Sequence, residues 1–529
     1  MRGLIISLLC LGCTGEIGDA PAPFDPVPPV DTEAPMVDCT VDRPVGIRLI
    51  RRLTTPELVT TLRTVFEMPA LTLDLPLDPV NEAGLHTDEH LLLVRPRFAA
   101  GVHEGALALG EHMASRIEGE LPCASGGGEA CAMEYVTRWG RRLYRRPLSN
   151  TELSRYRDLF TEMQSEGEAF DEYVRWATVA LVDSPHMIYR SELGEPRGER
   201  YELSAYELAT ELAYTFTGGP PDDALLDLAE AGLDRDAVRD IATRLAQADS
   251  PDFREVVRRF GEQWLRLPAI GSVGKDDAAF TAAVRSSMLA ETEHFLEATI
   301  FEEGGSFEDL LTSNTTYLDG TLASFYGFGD ESASSFVATS RPDGMGIGLL
   351  AQGGLLAVRA TNRSSSPTRR GLLVRRDMLC QPVPPAPVGV DVFPETDAVT
   401  TRERHQVLVD EPFCSRCHRL LEPIGFALER FDEAGRVRSE ESGIAIDESG
   451  FIQTDEGDVE IAGAEELAEE LADLGQAQEC FTSLVGAYSM GMDPERTACL
   501  VSSEANAPVL DQFLAVAASD HFFERVVEP

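Results

Sequence analysis

The sequence predicts a mainly α protein, a multi-domain helical assembly with minor short β elements, on three observations. Helix-start signatures recur along the chain, apolar residues follow them at helical spacing, and strand signals are few and short. At about 150 residues per domain, the 529 residues correspond to three or four domains. Hydrophobic residues make up 43% and charged residues 26%, ordinary globular usage that excludes wholesale disorder.

Thr55-Pro56-Glu57 offers an N-cap, a proline at the first helical position and an early carboxylate. Ser149 with Glu152, and Ser204 with Glu207, each fit the capping box, in which each partner satisfies the other's backbone N–H. Behind Ser204, the residues Ala209, Leu212, Ala213 and Phe216 line one apolar face. Asp234 is placed to cap the next helix, whose Val238, Ile241, Ala242 and Leu245 repeat the pattern. The strand candidates are Phe336–Thr339 and Gly443–Ile446. The run Gln381-Pro382-Val383-Pro384-Pro385-Ala386-Pro387 must be extended and reads as a link between folded pieces.

The chain has 45 basic and 90 acidic residues, a formal charge of −45. Such a field repels nucleic-acid backbones and anionic lipid surfaces, and speaks for association with a basic partner. The start of the chain sets the compartment. Met1-Arg2 and the short apolar core to Leu11 have the form of a secretory signal, and Gly12-Cys13 resembles a lipoprotein cleavage site with Cys13 as the acylated residue. Residues 1–13 therefore read as signal peptide and 14–46 as a proline-rich, acidic tether. Further divisions fall at 47–120 (an N-terminal helical domain), 121–195 (an arginine-rich helical domain), 196–335 (a central helical domain), 336–440 (the domain with the motif described next) and 441–529 (a C-terminal helical domain). The expected location is the periplasm or cell surface, with membrane contact only through a lipid anchor. Export permits disulfides. Cys123 and Cys131 bracket a glycine-rich loop, Cys480 and Cys499 make a second candidate pair, and Cys39 with Cys380 follows by elimination.

Cys414-Ser415-Arg416-Cys417-His418 is the one motif that carries chemistry. C-x-x-C-H is the attachment signature of c-type haem. Two thiols one helical turn apart can add to the two vinyl groups of one porphyrin edge, and the adjacent His418 serves the iron. From the chain's own cysteine and histidine frequencies, a chance match is expected only about 0.003 times. A thioredoxin-like pair, a zinc site and a plain disulfide are the competing readings of the same residues. The first lacks a βαβ context, and the second lacks another C-x-x-C. Met490, Met492 and His405 are the candidates for a sixth iron ligand. His86 and His90 stand four apart in a loop-like stretch and read as structural. No nucleophile elbow, phosphate loop or H-E-x-x-H is present.

Around this motif, Cys414 to Arg438 resembles the C-x-x-C-H-x-x-M-D-P-x-G-F-A-L-E-x-F-D-x-x-G-x-x-R signature of a secreted family of planctomycetes and myxobacteria. That family is built from five consecutive domains of unknown function with a cytochrome-c-like motif. Blocks at Arg51–Thr54, Gly140–Leu148, Ser184–Arg190, Tyr206–Ala209, Phe325–Gly327, Ser366–Gly371 and Ser519–Phe522 resemble the family's other segments in order. The chain departs from the pattern at Leu421 and Glu422, where the family has Met and Asp, and at Leu408, where many members have His. The resemblance implies a mainly helical, exported protein with a C-terminal cytochrome-c-like segment and one covalent haem c, and it supplies no reaction. The expected role is one-electron transfer to or from a redox or secreted partner protein. The rival is a binding or scaffold lipoprotein that grips a polysaccharide or protein, in which Cys414 and Cys417 form a disulfide. A haem enzyme with His405 on the open side of the iron is the third reading.

Overall fold

The computed structural model describes residues 49–198, 200–384, 397–454, 457–497, 500–501 and 504–526. The expected leader, tether, Cys13, Cys39 and Cys499, and the proline-rich run from Pro385 onward, lie outside them. Twenty-two helices and nine short strands form the described part, and no helix among those residues is long and apolar enough to cross a membrane.

The capping signals act where they stand. Ser149 and Ser204 both close capping boxes, opening the helices Asn150–Glu166 and Ala205–Thr217, and the Asp234 carboxylate accepts from Ala237 N–H. The first helix, Thr55–Val65, is capped one residue earlier than expected. Thr54 is the cap because only Thr54 has Glu57 three residues on, where its carboxylate accepts from the Thr54 N–H at 2.7 Å.

Helix burial produces two large cores and a small one. The first gathers residues from Leu53 to Ile188 with Tyr214, so the segments 47–120 and 121–195 share one interior. The second runs from Leu203 to Phe523 with Leu85, and unites the central, motif and C-terminal segments. The small third core sits around Met288 and Leu322. Fully buried arginines tie the turns together: Arg145 donates to the carbonyls of Leu143, Met187, His186 and Tyr189 at 2.6–3.1 Å.

The strand at Phe336–Thr339 forms as Val337–Ser340, paired with Thr315–Leu318, and Gly443–Ile446 contributes only Ile444–Ala445. The hairpin Ser449–Thr454 with Gly457–Ala462 was not anticipated. It matters because it lies against the helix Ser415–Phe426, the motif helix. Arg419 meets Asp458 at 3.0 Å, and Arg375 donates to both Leu420 O and Gln453 O. Two glycines bring the short helix Pro367–Leu372 against the motif helix. A Cβ on Gly371 would lie 2.0 Å from Leu421 O, and one on Gly425 would lie 2.1 Å from Pro367 O. That backbone contact sets the neighbourhood of the motif.

Candidate functional site

Cys414 to His418 forms the first turn of the motif helix, with the N–H groups of Cys417 and His418 both bonded to Cys414 O at 3.2 and 3.1 Å. The two thiols therefore stand one turn apart at the head of the helix. Both are free and half-buried, so the disulfide reading of this pair is not the state the structure holds. Burial, then Glu411 and Cys417, push the Cys414 thiol above its ordinary value. Phe413, immediately before the pair, is 63% exposed.

Below the thiols lies a buried carboxylate. Glu422 follows His418 by one turn on the same helix face, and its Oε1 receives His418 Nδ1 at 2.6 Å, Thr368 Oγ1 at 2.7 Å and His405 Nδ1 at 3.3 Å. Thr368 comes from the helix Pro367–Leu372 and His405 from Thr401–Asp410, so three elements converge on one oxygen. Burial opposes the charged form, but the bonds from His405, His418 and Thr368 outweigh it and hold Glu422 below its ordinary value. With the carboxylate ionised, both imidazoles donate through Nδ1, which leaves Nε2 of His418 as the ring nitrogen open to a metal. The donor set thus fits a covalently attached haem: two free thiols with exposed apolar surface beside them, and an oriented imidazole. Among the described residues, no group of three or more His, Cys, Asp or Glu is arranged to hold a metal ion on its own.

Of the other residues singled out, the structure brings His405 into the site, bonded to the same carboxylate as His418. Met490 and Met492 are buried in the second core. Gly491, between them, is pressed against Arg51 and accepts from Glu89 N–H. His86 bonds Asp78 O through Nδ1, while His90 is exposed. Cys123 and Cys131 form a disulfide. The expected pairs Cys480 with Cys499 and Cys39 with Cys380 are replaced by Cys380–Cys480, whose Cα atoms are 5.4 Å apart. The reason is packing: Leu373, Val374, Met378 and Leu379 share the second core with Phe481 and Leu484, which places Cys380 beside the helix Gly475–Met490.

Thr368 stands in the sequence only as part of the Ser366–Gly371 block, with no role assigned, and Glu422 only as a departure from a pattern. The signal for Glu422 was present, since a carboxylate four residues after a histidine on a helix meets it. Thr368 had no local signal.

Three successive segments match families described as proteins of unknown function: residues 131–192 match PSD5 (DUF1595), 203–328 match PSD4 (DUF1592) and 347–441 match PSCyt3 (DUF1588). The third contains the whole motif and its partners Thr368, His405 and Glu422. No curated protein and no solved structure matches the chain. The chain is thus similar, segment by segment, to three protein families of unknown function.

Proposed function

We propose that the chain is an exported c-type haem protein that passes single electrons to or from a partner redox protein. The observation that carries this reading is the contrast among its cysteines. Cys123, Cys131, Cys380 and Cys480 are paired, while Cys414 and Cys417 stay free at the head of a helix whose next residue is an oriented histidine. The name of the matching third family, PSCyt3, points to the same class. Cys414 and Cys417 would hold one haem through thioether bonds and His418 would serve its iron through Nε2; bound there, the haem supplies one-electron redox chemistry. Glu422 fixes the tautomer and orientation of His418 and makes it a stronger donor. Export through residues 1–13 and anchoring through Cys13 complete the proposal. The charge of −45 favours a basic partner and a salt-sensitive encounter.

The test is a reduced-minus-oxidised visible spectrum of protein exported from cells equipped for c-type haem maturation, with haem staining after denaturation. A covalent c-type α-band that disappears in Cys414→Ala/Cys417→Ala supports the proposal. Folded, exported, colourless protein overturns it.

A further inference from the structure

A second polar centre lies away from the motif. A cavity of about 760 Å³ opens where the first core meets the second, a size and a position typical of small-molecule sites. Its wall is assembled from the block around Arg51–Glu57, the loop from Leu77 to Thr87, Arg190, the residues Pro268 and Ala269, and the helices Ala205–Thr217, Pro251–Trp264 and Gly475–Met490. Leu77 and Val80, both exposed, stand in its lining. In a chain of net charge −45, this wall is an exception, because its five arginines outnumber its four carboxylates.

Most of those arginines are engaged. Arg190 meets Glu211 at 2.6 Å and Glu192 at 3.0 Å, and Arg259 meets Glu255 at 2.7 Å. Arg51 differs. Its side chain is 2% exposed, its Nε and Nη1 have no hydrogen-bond partner, and its ion pair with Glu57 Oε1 spans 3.9 Å. Burial, then the charge of Arg190, push its guanidinium below the ordinary range, against the pull of Glu57, Glu192 and Glu211. Three hydroxyls of the same wall, Thr87 Oγ1, Thr215 Oγ1 and Ser489 Oγ, are likewise buried without a partner. Unmet buried donors carry a full desolvation penalty, and so many around one cavity mark groups that await a ligand.

We propose that this cavity binds a small hydroxylated carboxylate of the sugar-acid type, with Arg51 receiving the carboxylate and Thr87, Thr215 and Ser489 meeting the hydroxyls. The carboxylate supplies both the charge and the acceptor oxygens that Arg51 lacks. The ligand's hydroxyls act as donor or acceptor to suit the three side-chain hydroxyls. The site shares no residue with the cysteine motif and does not depend on the proposed haem.

The test is titration calorimetry of the full-length exported protein with glucuronate, glucose and inorganic phosphate as separate probes. Glucuronate is expected to bind saturably at one site and glucose not to saturate. Arg51→Gln is expected to weaken glucuronate about 10- to 100-fold, the loss of a charge-assisted bond. Thr215→Val and Ser489→Ala, which keep the charge, are expected to weaken it about 2- to 10-fold each, and they decide the matter if Arg51→Gln does not fold. Cys414→Ala/Cys417→Ala is expected to bind glucuronate unchanged. Absence of saturable glucuronate binding, equal binding of glucose, tighter binding of phosphate, or retention of full affinity in all three cavity variants would each overturn the proposal.

Discussion

Arg145 and Arg51 are equally buried, at 2% exposure each, and both stand near Tyr214: Arg145 packs over its ring, and Arg51 shares a cavity wall with it. The turn around Arg145 meets its guanidinium with four backbone carbonyls. The cavity around Arg51 leaves two of its nitrogens unmet. The cysteines among the described residues divide in the same way, two pairs bonded to one another and Cys414 with Cys417 open. The difference teaches that burial alone does not assign a role. A buried reactive or charged group whose bonding is completed inside the protein holds the fold, and one left incomplete is a candidate for a ligand.

The sharpest way to break that division is through the paired cysteines. The Cys380–Cys480 bond closes a separation of 100 residues and the Cys123–Cys131 bond one of 8. Loop-closure entropy then predicts losses of about 4.7 and about 2.5 kcal/mol on replacing each pair with serine, read by denaturant unfolding. Cys414→Ala/Cys417→Ala in haem-free protein should leave unfolding nearly unchanged. Next comes the arginine pair. Arg145→Gln should cost about 3–5 kcal/mol, because it strips a buried turn of its donors, whereas Arg51→Gln should cost under about 1 kcal/mol, since only a long ion pair is lost and a poorly paired buried charge is removed. Equal losses at the two arginines would contradict the division.

A smaller effect concerns pH. Arg146 and the Ser149 N–H hold the Glu152 carboxyl at about 2 against burial. The folded pKa lies below the unfolded one, so this stabilisation is full above the ordinary carboxylate range near 4.5 and is lost as pH falls toward 2. Glu152→Gln should flatten the acid limb of thermal stability over that window. The smallest effect is at the motif. Glu422→Gln removes the anion behind His418 and should raise the midpoint potential, by about 60 mV for each tenfold of ferric preference the carboxylate supplied, with the α-band retained.

What the sequence made legible follows the range of the interaction. Caps at Ser149, Ser204 and Asp234 are local and were readable, and Thr54 was missed by one residue because Thr55 offers the same hydroxyl. The mainly helical class followed from them. The hairpin Ser449–Thr454/Gly457–Ala462 was obscured by its glycines and acids, although Asp458-Val459-Glu460-Ile461 alternates as a half-buried strand should. The motif was readable because its residues are adjacent in sequence and C-x-x-C-H is a fixed spacing. Its carboxylate was half-readable from the helical period, and Thr368 and the Cys380–Cys480 bond were not, because tertiary packing alone brings them together. The Arg51 cavity draws on stretches scattered from Arg51 to Ser489 and left no local trace.

Haem attachment at Cys414 and Cys417 is read from the mass of the peptide spanning Cys414–His418, released by proteolysis from exported protein produced with haem maturation. The expected peptide is heavier by one haem, attached through both cysteines, with Cys123–Cys131 and Cys380–Cys480 recovered as disulfides. A peptide recovered from folded protein with 414 and 417 as free thiols, or oxidised to each other, would contradict it.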